Sequence, residues 1–277
     1  MRIALVPLDI VWNNKEMNKT SCRKIISRIT IHQVDLIIFP EMTLTGFNME
    51  PSETGEEISS SKTIDFFRQE AIKNKVGIVF GAVIEKEAEF LNCAFLMDDK
   101  GELIASYSKV HLFSHANENL FFRSGESTSM ATYNNYKIGL TICYDLRFPE
   151  LYTALAQDAD FVVNISNWPE KREKHWETLL EARAIENQTT IIGVNRSGKD
   201  KNGQIFSGNS KVIHPDGLIA DPEYYENEFS IFSIERERAK ESVRSFNTVI
   251  DRRPSLYFRW YSESNLTTDE KVRKNDY

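Results

Sequence analysis

Short apolar segments that are typical of β-strands alternate with amphipathic segments of helical period through both halves of the chain. Some of these segments are apolar without interruption, as expected for strands that are covered on both faces. The predicted strands cover residues 3–8, 36–39, 76–84, 90–97, 103–107, 138–142, 161–165, 190–194, 211–213, 218–220 and 229–234. The predicted helices cover residues 14–32, 64–74, 149–157 and 174–188, and residues 52–62 and 114–129 form polar loops. This alternation favours an α/β fold built in layers.

Composition excludes several classes of function for this chain of 277 residues. The net charge is −7, from 34 basic and 41 acidic residues, and no basic stripe that would suit nucleic acid is present. No apolar run reaches the length that spans a membrane. The strand that begins directly after Met1 leaves no room for a signal peptide. We therefore expect a cytoplasmic protein with neither nucleic acid nor membrane as a partner, folded as one domain or as two halves sharing a core.

The cysteines indicate a reducing compartment. Cys22, Cys93 and Cys143 are odd in number and show no paired spacing, so neither a disulfide framework nor a zinc site is predicted. No cluster of metal ligands and no phosphate-binding loop is recognisable in the sequence. We expect no metal and no cofactor.

Three residues of complementary chemistry each follow a predicted strand: Glu41, Lys109 and Cys143. Strand ends gather at one edge of a sheet, so a shared site is geometrically reasonable. Each residue also has an ordinary explanation: Glu41 as a helix cap or a solvated loop charge, Lys109 as a surface lysine, and Cys143 as a small buried apolar side chain. At the strand-to-helix turn, however, free backbone N–H groups favour a thiolate at Cys143.

Together these residues suit acyl transfer. A cysteine is mostly thiol near neutral pH, so attack on a carbonyl carbon requires a base, and Glu41 could take the proton. Lys109 and the backbone N–H of Tyr144 could stabilise the resulting oxyanion. Glu41 would then protonate the leaving group and activate the water that hydrolyses the thioester.

Five motifs resemble those of the nitrilase superfamily of carbon–nitrogen hydrolases. They are residues 39–41 (FPE), 107–113 (YSKVHLF), 143–150 (CYDLRFPE), 164–169 (NISNWP) and 181–187 (EARAIEN). The resemblance covers about residues 1–260. The second and third motifs are most similar to the omega-amidase branch.

This resemblance implies a four-layer αββα sandwich, in which helices flank two central mixed β-sheets. It also implies a Glu–Lys–Cys triad, here Glu41, Lys109 and Cys143. The hydrolase domain would occupy residues 1–260, including a C-terminal arm from about residue 235, and a polar tail would occupy residues 261–277. We expect the arm, with its aromatic run at 256–260, to be extended and to pack on another surface, as in a homodimer.

The family commonly adds a second glutamate in the loop after the lysine motif, where it could orient Lys109 or bind the leaving amine. Glu118 and Glu126 compete for this role, and the sequence around Glu118 resembles the family's loop more closely. A solvated loop charge is the alternative for Glu118. Ser114 departs from the family pattern, because many omega-amidases carry aspartate at this position.

Five further residues are predicted to line the substrate pocket: Phe113, Tyr144, Arg147, Asn167 and Trp168. Arg147 is the candidate partner for a substrate carboxylate, because arginine can bind one through two parallel hydrogen bonds. An internal ion pair with Glu186 or Glu150 would explain Arg147 equally well. Trp168 would fit the core as well as the pocket.

His111 raises a different possibility, a Cys–His pair of the kind found in thiol peptidases. The peptidase signatures around Cys143 are missing from this sequence. We expect a structural role instead, in which the imidazole ring of His111 bonds to backbone.

The sequence therefore predicts an amidase that hydrolyses the terminal amide of a small dicarboxylate monoamide, such as 2-oxoglutaramate or 2-oxosuccinamate, through a cysteine thioester. The alternatives within the family are a nitrilase, a carbamoyl-amine hydrolase and a deaminated-glutathione amidase. A binding module that has kept the fold and lost the chemistry is the alternative outside enzymes.

Overall fold

Two β-sheets pack face to face at the centre of the molecule, which a computed structural model describes over residues 1–265. Within that range the first sheet has, in spatial order, β14 (Tyr224–Glu226), β15 (Phe229–Ser233), β1 (Arg2–Leu5), β2 (Leu36–Ile38), β4 (Gly77–Lys86), β5 (Glu89–Met97) and β6 (Leu103–Ser108), with β3 (Glu56–Glu57) paired to β4. The second sheet has β13 (Lys211–Ile213), β10 (Thr190–Asn195), β9 (Phe161–Ser166), β8 (Tyr136–Ile142) and β7 (Met130–Tyr133). β11 (Ser197–Lys199) and β12 (Ile205–Ser207) form a separate two-stranded ribbon.

Helices cover the outer faces of both sheets. The α-helices of the described chain are α1 (Lys15–Ile29), α2 (Pro51–Thr54), α3 (Lys62–Asn74), α4 (Glu118–Phe121), α5 (Pro149–Leu155), α6 (Glu173–Asn187), α7 (Arg236–Ser245) and α8 (Pro254–Asn265). None of the helices in residues 1–265 combines the length and hydropathy needed to cross a lipid bilayer.

The alternation of side chains along the strands of the first sheet builds the layers. In β1, Ile3 and Leu5 pack toward the second sheet, whereas Ala4 packs with the apolar residues of α1 and α3. Both faces of this strand are therefore buried, which explains its continuous apolar sequence. On the far side, Trp176 and Leu180 of α6 join the core that contains the second sheet. The layers follow the predicted αββα order.

Strand direction brings the ends of four strands to one edge. β1, β2 and β4 are parallel, and so are β8, β9 and β10. β6 runs in the same direction as β4, because two antiparallel pairings separate them. The segments that follow β2, β6, β8 and β9 carry Glu41, Lys109, Cys143 and Asn167, respectively. The topology thus explains how residues far apart in the sequence reach one place.

The turn that carries Glu41 rests directly on Gly81 of β4. A Cβ atom at Gly81 would lie 2.4 Å from the backbone nitrogen of Met42 and 2.9 Å from the Cα atom of Glu41. Thr43 fixes the same turn, because its backbone N–H donates to the carbonyl of Gly81 at 3.0 Å and its hydroxyl accepts from the Gly81 N–H at 3.0 Å. Only glycine leaves room for this approach.

The prediction of an extended C-terminal arm was wrong. The arm is largely helical, and its aromatic run at 256–260 lies within α8. Pro254 is the first residue of α8, a position where the missing N–H of proline costs nothing. Since α8 continues to residue 265, it runs into the predicted polar tail, and residues 266–277 lie outside the described range.

Smaller corrections concern the loops. The predicted loop at 52–62 contains most of α2, together with β3 and a 3-10 turn at Ile58–Ser60. The predicted loop at 114–129 contains α4 and a 3-10 turn at Ser114–Ala116. Residues 218–220 form no strand, since a single bridge joins Ile219 to Ile213. The short strands β7, β11, β12 and β14 were not predicted.

Candidate active site

Lys109 and Glu41 form an ion pair in the interior of the protein. Lys109 Nζ lies 3.0 Å from Glu41 Oε1, and both side chains are fully buried. Lys109 also lines a pocket together with Cys143. The ordinary explanations as a solvated charge and a surface lysine are therefore wrong for these two residues. The structure brings all three residues predicted at strand ends to one site.

The same lysine binds a second carboxylate, that of Glu118 at the start of α4. Lys109 Nζ lies 2.9 Å from Glu118 Oε2 and 3.1 Å from Oε1. Glu118 is also fully buried, and its Oε2 accepts the backbone N–H of Phe113 at 2.6 Å. Glu126 is exposed, with Arg123 Nη2 4.0 Å away. Of the two competing glutamates, Glu118 is the one that lies in the site.

The charges around Lys109 settle its protonation. Burial alone would lower the pKa of Lys109, but Glu118 and Glu41 outweigh this effect and raise the pKa above its ordinary value. Lys109 therefore carries a full positive charge at neutral pH. Two carboxylates thus share a single ammonium ion in a region without solvent.

Cys143 lies at a sharp turn between β8 and a 3-10 helix that spans Cys143–Arg147. Its φ of 45° falls in the left-handed region, which is strained for a residue with a side chain. Asp145 holds this turn, because its carboxylate accepts the N–H of Ile142 at 2.9 Å and the hydroxyl of Tyr107 at 2.8 Å. The buried Asp145 is one functional neighbour that the sequence pattern did not single out.

The resting form of Cys143 is the thiol. Burial raises the pKa of Cys143, and the charge of Glu41 raises it further, whereas Lys109 and the backbone N–H of Asn167 act in the opposite direction. This shift in pKa is opposite in direction to the thiolate that the turn was predicted to favour, and its main cause is the burial of the sulfur. A base is needed before this sulfur can attack carbon.

Asn167 fixes the other side of Glu41. Its backbone N–H donates to Glu41 Oε2 at 2.9 Å, and its side-chain amide donates to the Glu41 carbonyl at 2.7 Å. Trp168 is 3% exposed and lines the pocket while packing in the core, so both predicted explanations hold. The indole N–H of Trp168 donates to the carbonyl of Arg172 at 2.8 Å.

Asn92 is a further member of the site that sequence reasoning missed. It lies within β5, is 1% exposed, and its side-chain amide donates to Glu41 Oε1 at 2.8 Å and to Glu118 Oε1 at 3.0 Å. The sequence offered only a polar residue inside a predicted strand, which does not reveal contacts across 51 residues of chain.

Arg147 makes neither of the predicted ion pairs. Glu186 bonds to Arg183 at 2.9 Å, and Glu150 accepts the hydroxyl of Tyr261 at 2.9 Å. The guanidinium of Arg147 instead lies 4.8 Å from the ring centre of Trp168, and its Nη2 lies 3.2 Å from His175 Nδ1. Arg147 therefore forms part of the pocket wall.

His111 does not pair with Cys143. Its Nδ1 lies 2.8 Å from the carboxylate of Asp145, and its ring stacks on Phe148 at 3.7 Å. The prediction of a backbone partner for the ring was wrong, because the side chain of Asp145 is nearer. This role is structural, and it supports the turn that carries Cys143.

The pocket above Cys143 has a volume of about 680 Å³. Phe113 and Tyr144 form one wall, with ring centres 4.9 Å apart. Three cationic side chains besides Lys109 line the pocket, Arg147, Lys171 and Arg172, and the carboxylates of Glu170 and Asp200 line it as well. The ribbon of β11 and β12 and the loop between its strands contribute residues 202–206 to the lining. Such a pocket accepts a small molecule, and its four cationic side chains against two carboxylates favour negative charge.

Comparison with known proteins agrees with this geometry. A family model described as carbon–nitrogen hydrolase matches residues 2–243. The Omega-amidase YafV of Yersinia enterocolitica is 33% identical over 219 residues, which are 79% of this chain and 83% of that protein. The 2-oxoglutaramate amidase of Bacillus subtilis is 28% identical over 257 residues, 92% of this chain and 98% of that protein.

A solved structure shares the fold over nearly the whole length. It is a CN-hydrolase superfamily protein from Xanthomonas campestris with an arsenic adduct in its active site. The TM-score is 0.85 at 28% sequence identity, and the match covers 91% of this chain and 97% of that one. The resemblance predicted from the five motifs and the αββα fold are both confirmed. The chain belongs to the carbon–nitrogen hydrolase family and is a hydrolase of carbon–nitrogen bonds.

Proposed function

We propose that this protein is an omega-amidase, which converts a small dicarboxylate monoamide such as 2-oxoglutaramate or 2-oxosuccinamate to the dicarboxylate and ammonia. The observation that carries this proposal is the buried Lys109, which holds Glu41 and Glu118 beside a thiol at the floor of a cationic pocket. The amidase relatives from Yersinia and Bacillus support the same reaction.

Acylation begins with Glu41, which takes the proton of the Cys143 thiol as the sulfur attacks the amide carbon. The carbonyl oxygen becomes an oxyanion, and Lys109 and the backbone N–H of Tyr144 stabilise its charge. The carbon–nitrogen bond then breaks, and the proton held by Glu41 passes to the leaving nitrogen. Ammonia departs and a thioester remains on Cys143.

Deacylation repeats the sequence with water. Glu41 takes a proton from a water molecule, and the hydroxide formed attacks the thioester carbon. The carbon–sulfur bond breaks, and the proton on Glu41 returns to Cys143. Glu118 keeps Lys109 in place throughout, because it contributes two of the hydrogen bonds of the ammonium group.

The far carboxylate of the substrate meets the cationic wall of the pocket. Arg147 is already engaged by Trp168 and His175. Arg172 stacks over Phe113 at 5.5 Å, and within residues 1–265 its guanidinium makes no hydrogen bond or ion pair. A free guanidinium at this wall can accept a carboxylate through two parallel bonds. Arg172 therefore joins Arg147 as a candidate for reading the acid end of the substrate.

A homodimer is part of the same proposal. Phe246 and Ile250, before α8, are each 74% exposed, and Phe258 and Trp260 on α8 are 76% and 54% exposed. Several large exposed apolar side chains within one short stretch of chain are typical of an interaction surface. A second copy of the chain would cover it.

The amidase assignment predicts that ammonia release depends on Cys143. The purified protein is incubated with 2-oxoglutaramate and 2-oxosuccinamate, and ammonia is measured for the parent and for Cys143→Ala. We expect the substitution to lower kcat by about 10³-fold or more, because it removes the nucleophile. Cys22→Ala serves as a control, since Cys22 is fully buried away from the pocket.

Equal turnover by the parent and Cys143→Ala would contradict the nucleophile assignment. Faster turnover of the matching nitrile would assign a nitrilase, and faster turnover of a carbamoyl amine would assign a carbamoyl-amine hydrolase.

Substrate recognition predicts a selective effect of Arg172→Met. The KM for 2-oxoglutaramate should rise by about 10-fold to 100-fold with little change in kcat, because a charge-assisted contact made equally in ground and transition states is lost. The KM for pentanamide, which has no carboxylate, should stay near the parent value. Lys174→Met, an exposed lysine at the start of α6 outside the pocket lining, is the matched control. Equal effects on both amides would show that Arg172 does not read the acid.

The dimer predicts a light-scattering mass of about twice the 32.0 kDa chain mass at micromolar concentration. The double substitution Phe258→Ser and Trp260→Ser should yield the single-chain mass. Ile31→Ser provides the control, because Ile31 is 78% exposed on the α1 side of the fold. A parent protein that scatters as one chain would refute the dimer.

A further inference from the structure

We infer that Asn92 is a positioning residue for amide hydrolysis. Its neutral side-chain amide fixes the carboxylates of Glu41 and Glu118 relative to each other and to the ammonium group of Lys109. This inference rests on the proposed roles of Cys143 and Glu41 and concerns a residue outside the Glu–Lys–Cys triad. It follows from a closed arrangement of four side-chain atoms.

The four atoms alternate between donors and acceptors. Lys109 Nζ donates to Glu41 Oε1 at 3.0 Å and to Glu118 Oε1 at 3.1 Å. Asn92 Nδ2 donates to the same two oxygens, at 2.8 Å and 3.0 Å. Each carboxylate oxygen therefore receives one bond from a cation and one from a neutral amide. The two hydrogens of the Asn92 amide are both used, so one side chain sets the positions of two carboxylates.

The neutral donor matters because the charge of Glu41 changes during the reaction. When Glu41 holds a proton, its attraction to the ammonium of Lys109 weakens, since charge-assisted bonds are about twice as strong as neutral ones. The carbonyl-type oxygen of a protonated carboxyl group still accepts a hydrogen bond from an amide. Asn92 thus keeps hold of Glu41 in both protonation states, and its bond to Glu41 changes less between them than the bond of an ammonium does.

Asn92 also ties this arrangement to the backbone of Lys109. The backbone carbonyl of Asn92 accepts the backbone N–H of Lys109 at 2.9 Å. Asn92 therefore fixes both the backbone of Lys109 and the two carboxylates that bind its ammonium group.

The observed orientation of the Asn92 amide is unfavourable for its own oxygen atom. Asn92 Oδ1 is buried and has no hydrogen-bond partner within residues 1–265. Turning the amide over would aim this oxygen at two carboxylate oxygens, and acceptors cannot bond to one another. An orphaned buried acceptor is uncommon in proteins and calls for a physical explanation. The two hydrogen bonds that Asn92 donates to Glu41 and Glu118 thus require an orientation in which its oxygen has no partner.

The test compares Asn92→Leu, which removes both donors at similar volume and without a charge, with the parent enzyme. Alkylation of Cys143 by iodoacetamide is followed by intact mass and peptide mapping, which needs no knowledge of the natural substrate. We expect the alkylation rate and the kcat for amide hydrolysis to fall by about 10²-fold, because a shift of about 1 Å in the base is sufficient for a loss of that size. The KM for the amide should stay within about twofold, since the cationic wall is untouched.

The other two cysteines report on folding in the same experiment. Cys22 is 0% and Cys93 is 2% exposed, so they are alkylated only in chains that have opened. A protein modified at Cys143 alone is therefore folded, and only such conditions are compared. If Asn92→Leu unfolds, Asn92→Ala, which removes both donors without adding charge or bulk, is compared with the parent in the same way and should show the same loss.

Asn164→Leu is the matched control for loss of a buried amide. The Asn164 amide also donates two bonds, to the hydroxyls of Thr141 and Tyr152, each at 3.0 Å. We expect a comparable loss of thermal stability but a change in the Cys143 alkylation rate of less than about threefold, because no carboxylate loses a partner.

An alkylation rate and a kcat within about twofold of the parent for folded Asn92→Leu would overturn the inference, because hydrogen bonds that position a base cannot be lost without effect. Equal falls for Asn92→Leu and Asn164→Leu would also overturn it, by assigning Asn92 a general structural role. Failure of the parent to hydrolyse dicarboxylate monoamides would refute the proposed substrate and leave the alkylation comparison decisive for Asn92.

Discussion

A single buried ammonium ion organises the functional site. Lys109 Nζ holds the carboxylates of Glu41 and Glu118, and all three side chains are inaccessible to solvent. Without the ammonium, two like charges would face each other in a medium that screens them poorly, which is unfavourable. The segments after β2 and β6 and the start of α4 are therefore joined by one ion. Every other feature of the site depends on how these segments are held.

Strand topology and backbone contacts hold these segments in place. The parallel course of β2, β4 and β6 brings Glu41 and Lys109 to one edge, and the bare backbone of Gly81 lets the Glu41 turn approach β4. The second sheet contributes Cys143 and Asn167 from the ends of neighbouring parallel strands. Asn167 then bonds to Glu41 across the interface between the two sheets. The site lies where the sheets meet, so its geometry depends on the packing of the whole sandwich.

Partial burial and the neighbouring carboxylates govern the sulfur of Cys143. Loss of solvent and the neighbouring carboxylates raise the pKa of Cys143, so the resting site contains a thiol beside a carboxylate. In the proposed mechanism the proton moves to Glu41 only when an acyl group is ready to receive the sulfur electrons. A resting thiol also resists oxidation better than a thiolate does. The strained backbone of Cys143 is held by Asp145, which several donors fix in turn.

Much of this arrangement could be predicted from the sequence, because it follows from strands and their ends. Glu41, Lys109 and Cys143 each close an apolar segment, and Glu118 lies in a loop that follows one. Asn92 could not be predicted, since a polar residue inside a strand shows nothing of its partners. The upward shift in the pKa of Cys143 could not be predicted either, because turn chemistry is local, whereas burial depends on the whole fold. The prediction of an extended C-terminal arm failed because its proline and aromatic residues suit the start of a helix equally well.

The most direct test of the central role of Lys109 is a crystal structure of Cys143→Ala with 2-oxosuccinamate bound. The account predicts the amide oxygen within about 3.5 Å of both Lys109 Nζ and the backbone nitrogen of Tyr144, with the amide carbon above the position of the missing sulfur. The carboxylate should point toward Arg147 and Arg172. A structure in which the substrate carboxylate binds Lys109, or in which the amide lies away from both Lys109 and residue 143, would contradict the account.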